Sequence, residues 1–249
     1  MNDAGQCGAN VDYTKPVVVD NCGLQAVPTQ PVVLNSGEDV GSMFGVGTTL
    51  VLWTATDTGG RQETCTVNVT VVDGESPTIS CPGDVVVGTG SGVCDAVVEY
   101  GTVVGEDNCP GAVTRMGGGG NFPSGATFGV GNTTVEYEVE DSVGLVSRCS
   151  FVVSVRDEES PEIQCPLDMN VSTSGCSQTV SFSNATGTDN CGSVEVVQSG
   201  GLVSGSAFPL GESSIEYTAR DSSGNEARCT FVVRVSTTTA PTIGKYELW

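Results

Sequence analysis

Acidic side chains recur in three contexts that a repeated fold would bring to one end of a domain. They follow a Val-rich strand in a linker, precede Asn-Cys in a loop, or begin a Gly-containing turn. One group is Asp73, Glu75, Asp107 and Asp141, and the other is Asp157, Glu158, Glu159, Asp189 and Asp221. Ca²⁺ takes about six to eight oxygen ligands, and carboxylates are among those it prefers. The sequence therefore offers two candidate calcium sites, and a bound ion at either would stiffen a linker.

A simpler interpretation of these acidic residues competes with calcium. Asp and Asn side chains often hydrogen-bond their own backbone two residues further on, which forms an Asx turn. Of the two interpretations we favour the Asx turns, and calcium at the linkers remains the second hypothesis.

Eleven cysteines carry the other chemistry that the chain could perform. Without any Cys-x-x-Cys pair, they indicate disulfides formed in an oxidising compartment, so we expect a secreted or cell-surface protein. Four cysteines in a full repeat allow three connectivities. Pairs fifteen residues apart recur three times, which favours local bridges. The predicted pairs are Cys7–Cys22, Cys94–Cys109 and Cys176–Cys191, then Cys81–Cys149 and Cys165–Cys229, with Cys65 unpaired or bonded outside the chain.

Four Asn-x-Ser/Thr sequons fit the same secretory route, although a Ser/Thr-rich chain can contain them by chance. The candidate glycosylation sites are Asn68, Asn132, Asn170 and Asn184.

Composition excludes several functional classes. The chain has no histidine, so it lacks the Ser-His and Cys-His pairs of nucleophilic enzymes, and we expect no enzyme. Its formal net charge is −21, which argues against nucleic acid and anionic membranes as partners. No apolar run approaches the roughly 20 residues that span a bilayer.

An internal repeat positions these residues. Five landmarks recur in the same order at spacings of 80 to 87 residues: a cysteine, the Asp-Asn-Cys loop, a phenylalanine, an aromatic residue before a turn Asp, and a final cysteine. We expect the aromatic landmarks to occupy equivalent core positions. They are Phe44, Phe128 and Phe208, followed by Trp53, Tyr137 and Tyr217.

Alternation within each repeat predicts β-strands. Val135, Tyr137 and Val139 alternate with Glu136, Glu138 and Glu140, which is typical of a strand with one face in a core and one in water. Several such strands in about 80 residues predict a two-sheet sandwich. The fold class is therefore all-β, with tandem immunoglobulin-like β-sandwiches arranged end to end. The predicted domains are 1–73 (first strand missing), 74–157 and 158–236, with a linker and the start of a further strand in 237–249.

Each unit resembles an HYR domain, the hyalin repeat. The resemblance rests on the linker Ser76-Pro77-Thr78-Ile79-Ser80-Cys81-Pro82, the Asp107-Asn108-Cys109 loop, and the turn Phe208-Pro209-Leu210-Gly211. It implies an immunoglobulin-like fold, a role in extracellular adhesion or matrix, and no catalytic residues. It also implies that the first and last cysteines of a repeat pair with each other.

Two functions remain open. The first is a structural or fibre-forming protein, and the second is an adhesive module or spacer that recognises a protein or glycan, with 115–123 as its candidate loop. The first repeat lacks an opening strand, whereas the tail repeats the linker motif as Ala240-Pro241-Thr242-Ile243. We therefore expect head-to-tail polymerisation by strand donation, or neighbouring domains of a longer chain as partners. The predicted assembly residues are Ile243, Tyr246, Leu248 and Trp249.

Overall fold

A computed structural model of the chain describes residues 1–14, 16–21, 24–26, 32–33, 43–118 and 120–240. The predicted assembly tail and Cys22 lie outside these residues. The chain divides into two compact units. The first contains the described residues of Met1–Gly83, Tyr100–Ser124 and Thr134–Val152, and the second contains those of Asp84–Glu99, Gly125–Thr133 and Val153–Trp249.

The first repeat has six described strands, and its long hairpin forms the centre. The strands are β1 (Gly8–Ala9), β2 (Leu24–Ala26), β3 (Val32–Val33), β4 (Phe44–Gly45), β5 (Gly47–Asp57) and β6 (Gln62–Val71). Strand β5 pairs with β2, β3 and β6, while β1 pairs with β4 in a second sheet.

The second repeat adds eight strands. They are β7 (Thr78–Ile79), β8 (Val85–Gly88), β9 (Asp95–Val98), β10 (Gly105–Glu106), β11 (Val113–Gly117), β12 (Ala126–Gly129), β13 (Gly131–Glu140) and β14 (Val146–Arg156). The main sheet has the order β11-β13-β14-β8, and the pairs β10-β7 and β12-β9 are separate.

The third repeat reproduces this plan. Its strands are β15 (Glu162–Gln164), β16 (Met169–Thr173), β17 (Ser177–Val180), β18 (Thr186–Thr188), β19 (Glu195–Gly200), β20 (Ser206–Pro209), β21 (Gly211–Arg220) and β22 (Glu226–Thr237). The four-stranded sheet has the order β16-β22-β21-β19, with β15-β18 and β17-β20 as separate pairs. The chain is all-β, as its alternation predicted.

Buried residues in the third repeat join the two layers of a sandwich. One layer contributes Val180 and Phe208, and the other contributes Tyr217, Phe231 and Val233. Alternation explains the burial, because every second side chain of β21 and β22 faces the same way. The first repeat has the equivalent cluster, which contains Ala9, Phe44, Val51, Trp53, Val69 and Val71. These domains are immunoglobulin-like β-sandwiches.

The aromatic landmarks occupy equivalent strand positions with unequal burial. Phe44, Phe128 and Phe208 are buried, and so are Trp53 and Tyr217. Tyr137 is only half-buried, and its hydroxyl lies 3.3 Å from that of Tyr100.

A glycine with positive φ opens each central strand. Gly47, Gly131 and Gly211 have φ of 118°, 119° and 106°, a backbone conformation that favours glycine over any residue with a side chain. Each stands three residues after the core phenylalanine, so the turn fixes how that phenylalanine enters the core.

The first repeat differs from the others at one sheet edge. Strand β14 pairs in parallel with β8, and β22 pairs in parallel with β16. Within the described residues, the corresponding strand β6 pairs only with β5.

Candidate functional site

Two disulfides join one repeat to the loop of the next. Cys7 bonds Cys109, and Cys94 bonds Cys191, with Cα atoms 4.7 and 4.8 Å apart. In each case the second cysteine belongs to an Asp-Asn-Cys loop. We call the surroundings of Cys7–Cys109 the first junction and those of Cys94–Cys191 the second junction. Each junction lies within one compact unit.

These bonds correct the predicted local pairs. Cys7–Cys22, Cys94–Cys109 and Cys176–Cys191 are wrong, because Cys7, Cys94, Cys109 and Cys191 have other partners. A disulfide requires Cα atoms within about 7 Å, and four residues of extended strand already carry the chain about 13 Å. Since β9 follows Cys94 directly, it carries the chain away, and the fixed spacing of fifteen reflects a repeated domain instead of a local bridge.

The remaining cysteines in the described ranges divide into long-range pairs and free thiols. Cys81 bonds Cys149 and Cys165 bonds Cys229, which are the two long-range pairs that the sequence predicted. Cys65 and Cys176 are free and exposed.

An asparagine docks each loop onto the preceding repeat. Asn108 Nδ2 donates to the carbonyl of Gln6 at 2.9 Å, and Asn190 Nδ2 donates to the carbonyl of Val93 at 2.9 Å. Both carbonyls belong to the residue before the half-cystine. Sequence reasoning missed these asparagines, although their fixed place between Asp and Cys in every repeat is a signal.

The linker acids form Asx turns that also bind the preceding repeat. Asp73 Oδ1 accepts from the N–H of Glu75, and Asp157 Oδ1 accepts from the N–H of Glu159, both at 3.2 Å. The two glutamates then accept from glycine N–H groups of the cysteine turns, Glu75 from Gly5 and Glu159 from Gly92, each at 2.8 Å. Both glutamates therefore bind a turn of the preceding repeat.

The loop and turn acids also bind their own backbone. Asp107 and Asp189 each accept from the N–H of the following half-cystine at 2.8 Å. Asp141 Oδ1 accepts from Val143 and Leu145. All these contacts agree with the Asx-turn interpretation.

The Asp221 turn is tied to the linker. Asn225 Nδ2 donates to Asp221 Oδ2 at 2.9 Å and to the carbonyl of Asp157 at 3.1 Å. Burial of the Asp221 carboxyl opposes ionisation. Hydrogen bonds from Asn225 and from the N–H groups of Gly224 and Ser223 outweigh burial, and they hold its pKa below the ordinary value.

Each junction nevertheless retains buried oxygens that no hydrogen-bond donor reaches. At the first junction they belong to Asp73, Asp107 and Asn108, and at the second to Asp157, Asp189 and Asn190; the turn residue Asp141 has one as well. Asp73, Asp141 and Asp157 are only 4%, 6% and 6% exposed, so the unpaired oxygens of these three carboxylates are costly.

Linker and loop carboxylates converge at both junctions. Oxygens of Asp73 and Asp107 lie within 4.8 Å of each other, as do those of Asp157 and Asp189. Cys109 and Cys191 border the same clusters, but their sulfurs are in disulfides and offer no thiolate. No ion pair in the described ranges involves these four aspartates. Among the described residues, each junction therefore has two carboxylates with buried oxygens and no ion pair to a basic side chain. Such a set of oxygen ligands suits a hard divalent cation.

The other predicted surface sites are exposed or neutralised. All four sequon asparagines are exposed. In the candidate adhesive loop, Arg115 pairs with Glu138 and Glu140 of the adjacent strand. Phe122 is half-buried, and its carbonyl accepts from the hydroxyl of Tyr100.

No helix in the described part of the chain has the length and apolar character needed to cross a membrane.

Family comparison finds three consecutive matches along the chain. The HYR domain family model matches residues 1–71, 72–155 and 156–235. The chain belongs to the HYR domain family. Its three HYR domains thus account for nearly all of the sequence.

Hyalins of two species are similar over nearly the whole chain. Hyalin of Strongylocentrotus purpuratus is 34% identical over 96% of this chain and 20% of its own length. Hyalin of Lytechinus variegatus is 30% identical over 97% of this chain and 45% of its own length. This HYR chain therefore spans between a fifth and a half of these relatives. Among solved structures, Drosophila N-cadherin EC1-3 aligns over 95% of both chains with 15% identity and a TM-score of 0.33.

Proposed function

We propose that this HYR chain is an extracellular, adhesion-type structural protein whose domains are locked to their neighbours at each junction. The lock consists of one disulfide between repeats, one asparagine hydrogen bond and one bound Ca²⁺. Its similarity to hyalins supports a repeat protein of this kind, and the four disulfides of the part that the structure describes fit an oxidising extracellular compartment.

The observation that carries the calcium proposal is the pair of carboxylate oxygens without a hydrogen-bond donor at each junction. Asx turns use one oxygen of Asp73, Asp107, Asp157 and Asp189, and the other oxygen of each stays buried without a donor. Two carboxylates held within 4.8 Å repel each other unless a cation lies between them. A divalent ion would remove this repulsion and would tie the linker to the loop of the next domain. Asn108 and Asn190 would supply a further oxygen each.

Isothermal titration calorimetry of the whole chain with CaCl₂ tests the proposal. The expected stoichiometry is two ions per chain. Asp73→Asn and Asp157→Asn should each reduce the stoichiometry to one, because each variant removes a carboxylate ligand from one junction. Glu136→Gln removes the same charge from an exposed strand position and should leave two sites. No binding, or a stoichiometry unchanged by both aspartate variants, would reject calcium at the junctions.

Head-to-tail assembly by strand donation is the second candidate function, and the first repeat favours it. In the other repeats the Pro-x-Ile strand pairs with the segment before Asp-Asn-Cys, as Ile79 with Gly105 and Ile163 with Gly187. Four residues before Cys22, the equivalent position is Val18, whose neighbours Val17 and Val19 are 87% and 89% exposed.

A hollow of about 260 Å³ lies beside this segment and is lined by Val17, Val19, Trp53 and Cys65 among others. An isoleucine from a donated strand would enter it, and Pro241-Thr242-Ile243 of a second copy repeats the motif Pro77-Thr78-Ile79 that contains β7. Because Lys245 stands where β7 is followed by Cys81, the contact would not be covalent at Cys65.

Light scattering across a concentration series tests strand donation. A chain ending at Ser236 and the Ile243→Ser variant should stay monomeric, while the parent chain associates. Thr242→Ser alters the alternate face of the same strand and should associate like the parent. Wild-type-like oligomers from the chain ending at Ser236 would refute the mechanism.

A further inference from the structure

Cys176 occupies the position of a junction half-cystine without a described partner. It lies immediately before β17, as Cys94 lies immediately before β9. Cys7 and Cys94 each bond an Asp-Asn-Cys loop and are half-buried, whereas Cys176 is a free and exposed thiol. Two equivalent cysteines of the same chain therefore show what kind of partner this position takes.

The surface around Cys176 resembles the two junctions, but neutral residues replace the acidic residues of the linker. Thr237 Oγ1 accepts from the N–H of Thr239 at 3.1 Å, where Asp73 and Asp157 accept from glutamates in the other linkers. Thr239 Oγ1 donates to the carbonyl of Ser174 at 3.2 Å, so the linker again binds the turn that precedes the cysteine. The linker and the turn before Cys176 are thus arranged as at the two junctions where a loop binds.

We infer that Cys176 forms a disulfide with the Asp-Asn-Cys loop of another HYR repeat. A second copy of this chain offers that loop as Asp20-Asn21-Cys22. The inference rests on the proposed function, because it adds a third junction with a disulfide between repeats. It does not depend on calcium. Since Thr237 and Thr239 replace the carboxylates, this joint should respond to reductant and not to chelator.

The bond forms by thiol–disulfide exchange with a small disulfide such as oxidised glutathione. The thiolate of Cys176 attacks one glutathione sulfur and releases one reduced glutathione. The loop cysteine thiolate then attacks the sulfur of Cys176 in this mixed disulfide and releases a second one. Two protein thiols are oxidised to one disulfide, and one glutathione disulfide is reduced to two thiols.

Non-reducing electrophoresis of the whole chain in a glutathione redox buffer tests the inference. The parent protein should form disulfide-linked oligomers in which peptide mapping finds Cys176 joined to Cys22. Cys176→Ser should abolish them. Among the described residues, Cys65 is the other free and exposed cysteine, and Cys65→Ser should leave the oligomers intact, because random oxidation would use both thiols alike.

Docking of the loop gives a second measurement. Asn108 and Asn190 each donate one hydrogen bond to the preceding repeat, so Asn21→Ala should lower the linked fraction about fivefold. EDTA should leave the fraction unchanged. The inference is overturned if Cys176 joins mainly to Cys176 or Cys65, if Cys65→Ser removes the oligomers, or if no oligomer forms.

Discussion

The effect of Asp157→Asn on the free energy of unfolding should change sign when calcium is added. Without calcium, the buried carboxylate of Asp157 lies within 4.8 Å of Asp189. At that distance two charges repel by about 3.5 kcal/mol at an effective dielectric constant of about 20, and by about 1 kcal/mol in water. The amide keeps Oδ1, which accepts from Glu159, so the Asx turn survives. In chelator the variant should therefore be more stable by about 1 to 3 kcal/mol.

With calcium the same substitution should destabilise. At a free concentration about 1,000 times the dissociation constant, one bound ion stabilises the folded state by about 4.1 kcal/mol. The variant loses this contribution at the second junction, and the loss exceeds the gain of about 1 to 3 kcal/mol from the relieved repulsion. Differential scanning calorimetry measures both effects, because 1 kcal/mol moves the Tm of a domain of 60 to 100 residues by about 4 to 8 °C. A shift of the same sign in EDTA and in CaCl₂ would refute the reasoning, and Glu136→Gln serves as the charge-matched control.

Three further outcomes are expected. Tyr217→Ala should cost about 3 to 5 kcal/mol by denaturant titration, and Tyr137→Ala clearly less, because Tyr217 is 2% exposed and Tyr137 only half-buried; equal costs would contradict this. Because Asp221 has a folded pKa below the ordinary 3.8, its stabilisation should be complete above that value and be lost as pH falls through the folded pKa. The Asp221→Asn variant should show a smaller loss of stability as the pH falls, because it lacks this carboxyl. Small-angle scattering should show an elongated particle if the domains are arranged end to end, and a compact one would contradict that prediction.

Much of the fold followed from periodicity. Alternation in 135–140 predicts a strand with one buried face because alternation is a local feature of the chain. Tyr137 shows the limit, since its equivalent position did not ensure equal burial. Burial depends on neighbours such as Tyr100, which the spacing of landmarks does not reveal.

The junctions were harder to predict because their contacts connect different repeats. A fixed spacing between Cys94 and Cys109 describes one domain, whereas the bond of Cys94 to Cys191 depends on how the next domain meets it. The sequence identifies the acidic residues. It does not show that one oxygen of Asp73 accepts a hydrogen bond while the other has no donor, which the structure does. The calcium and Asx-turn interpretations use different oxygens of the same side chains and are therefore compatible.

Peptide mapping of the unreduced protein shows directly whether disulfides join neighbouring domains. Free thiols are first alkylated at acidic pH to prevent exchange, and a protease that cuts after Asp and Glu then separates Cys94, Cys109 and Cys191 into different peptides. The expected peptides are linked through Cys7–Cys109 and Cys94–Cys191. A peptide linked through Cys94–Cys109 would show instead that the cysteines bridge within one domain.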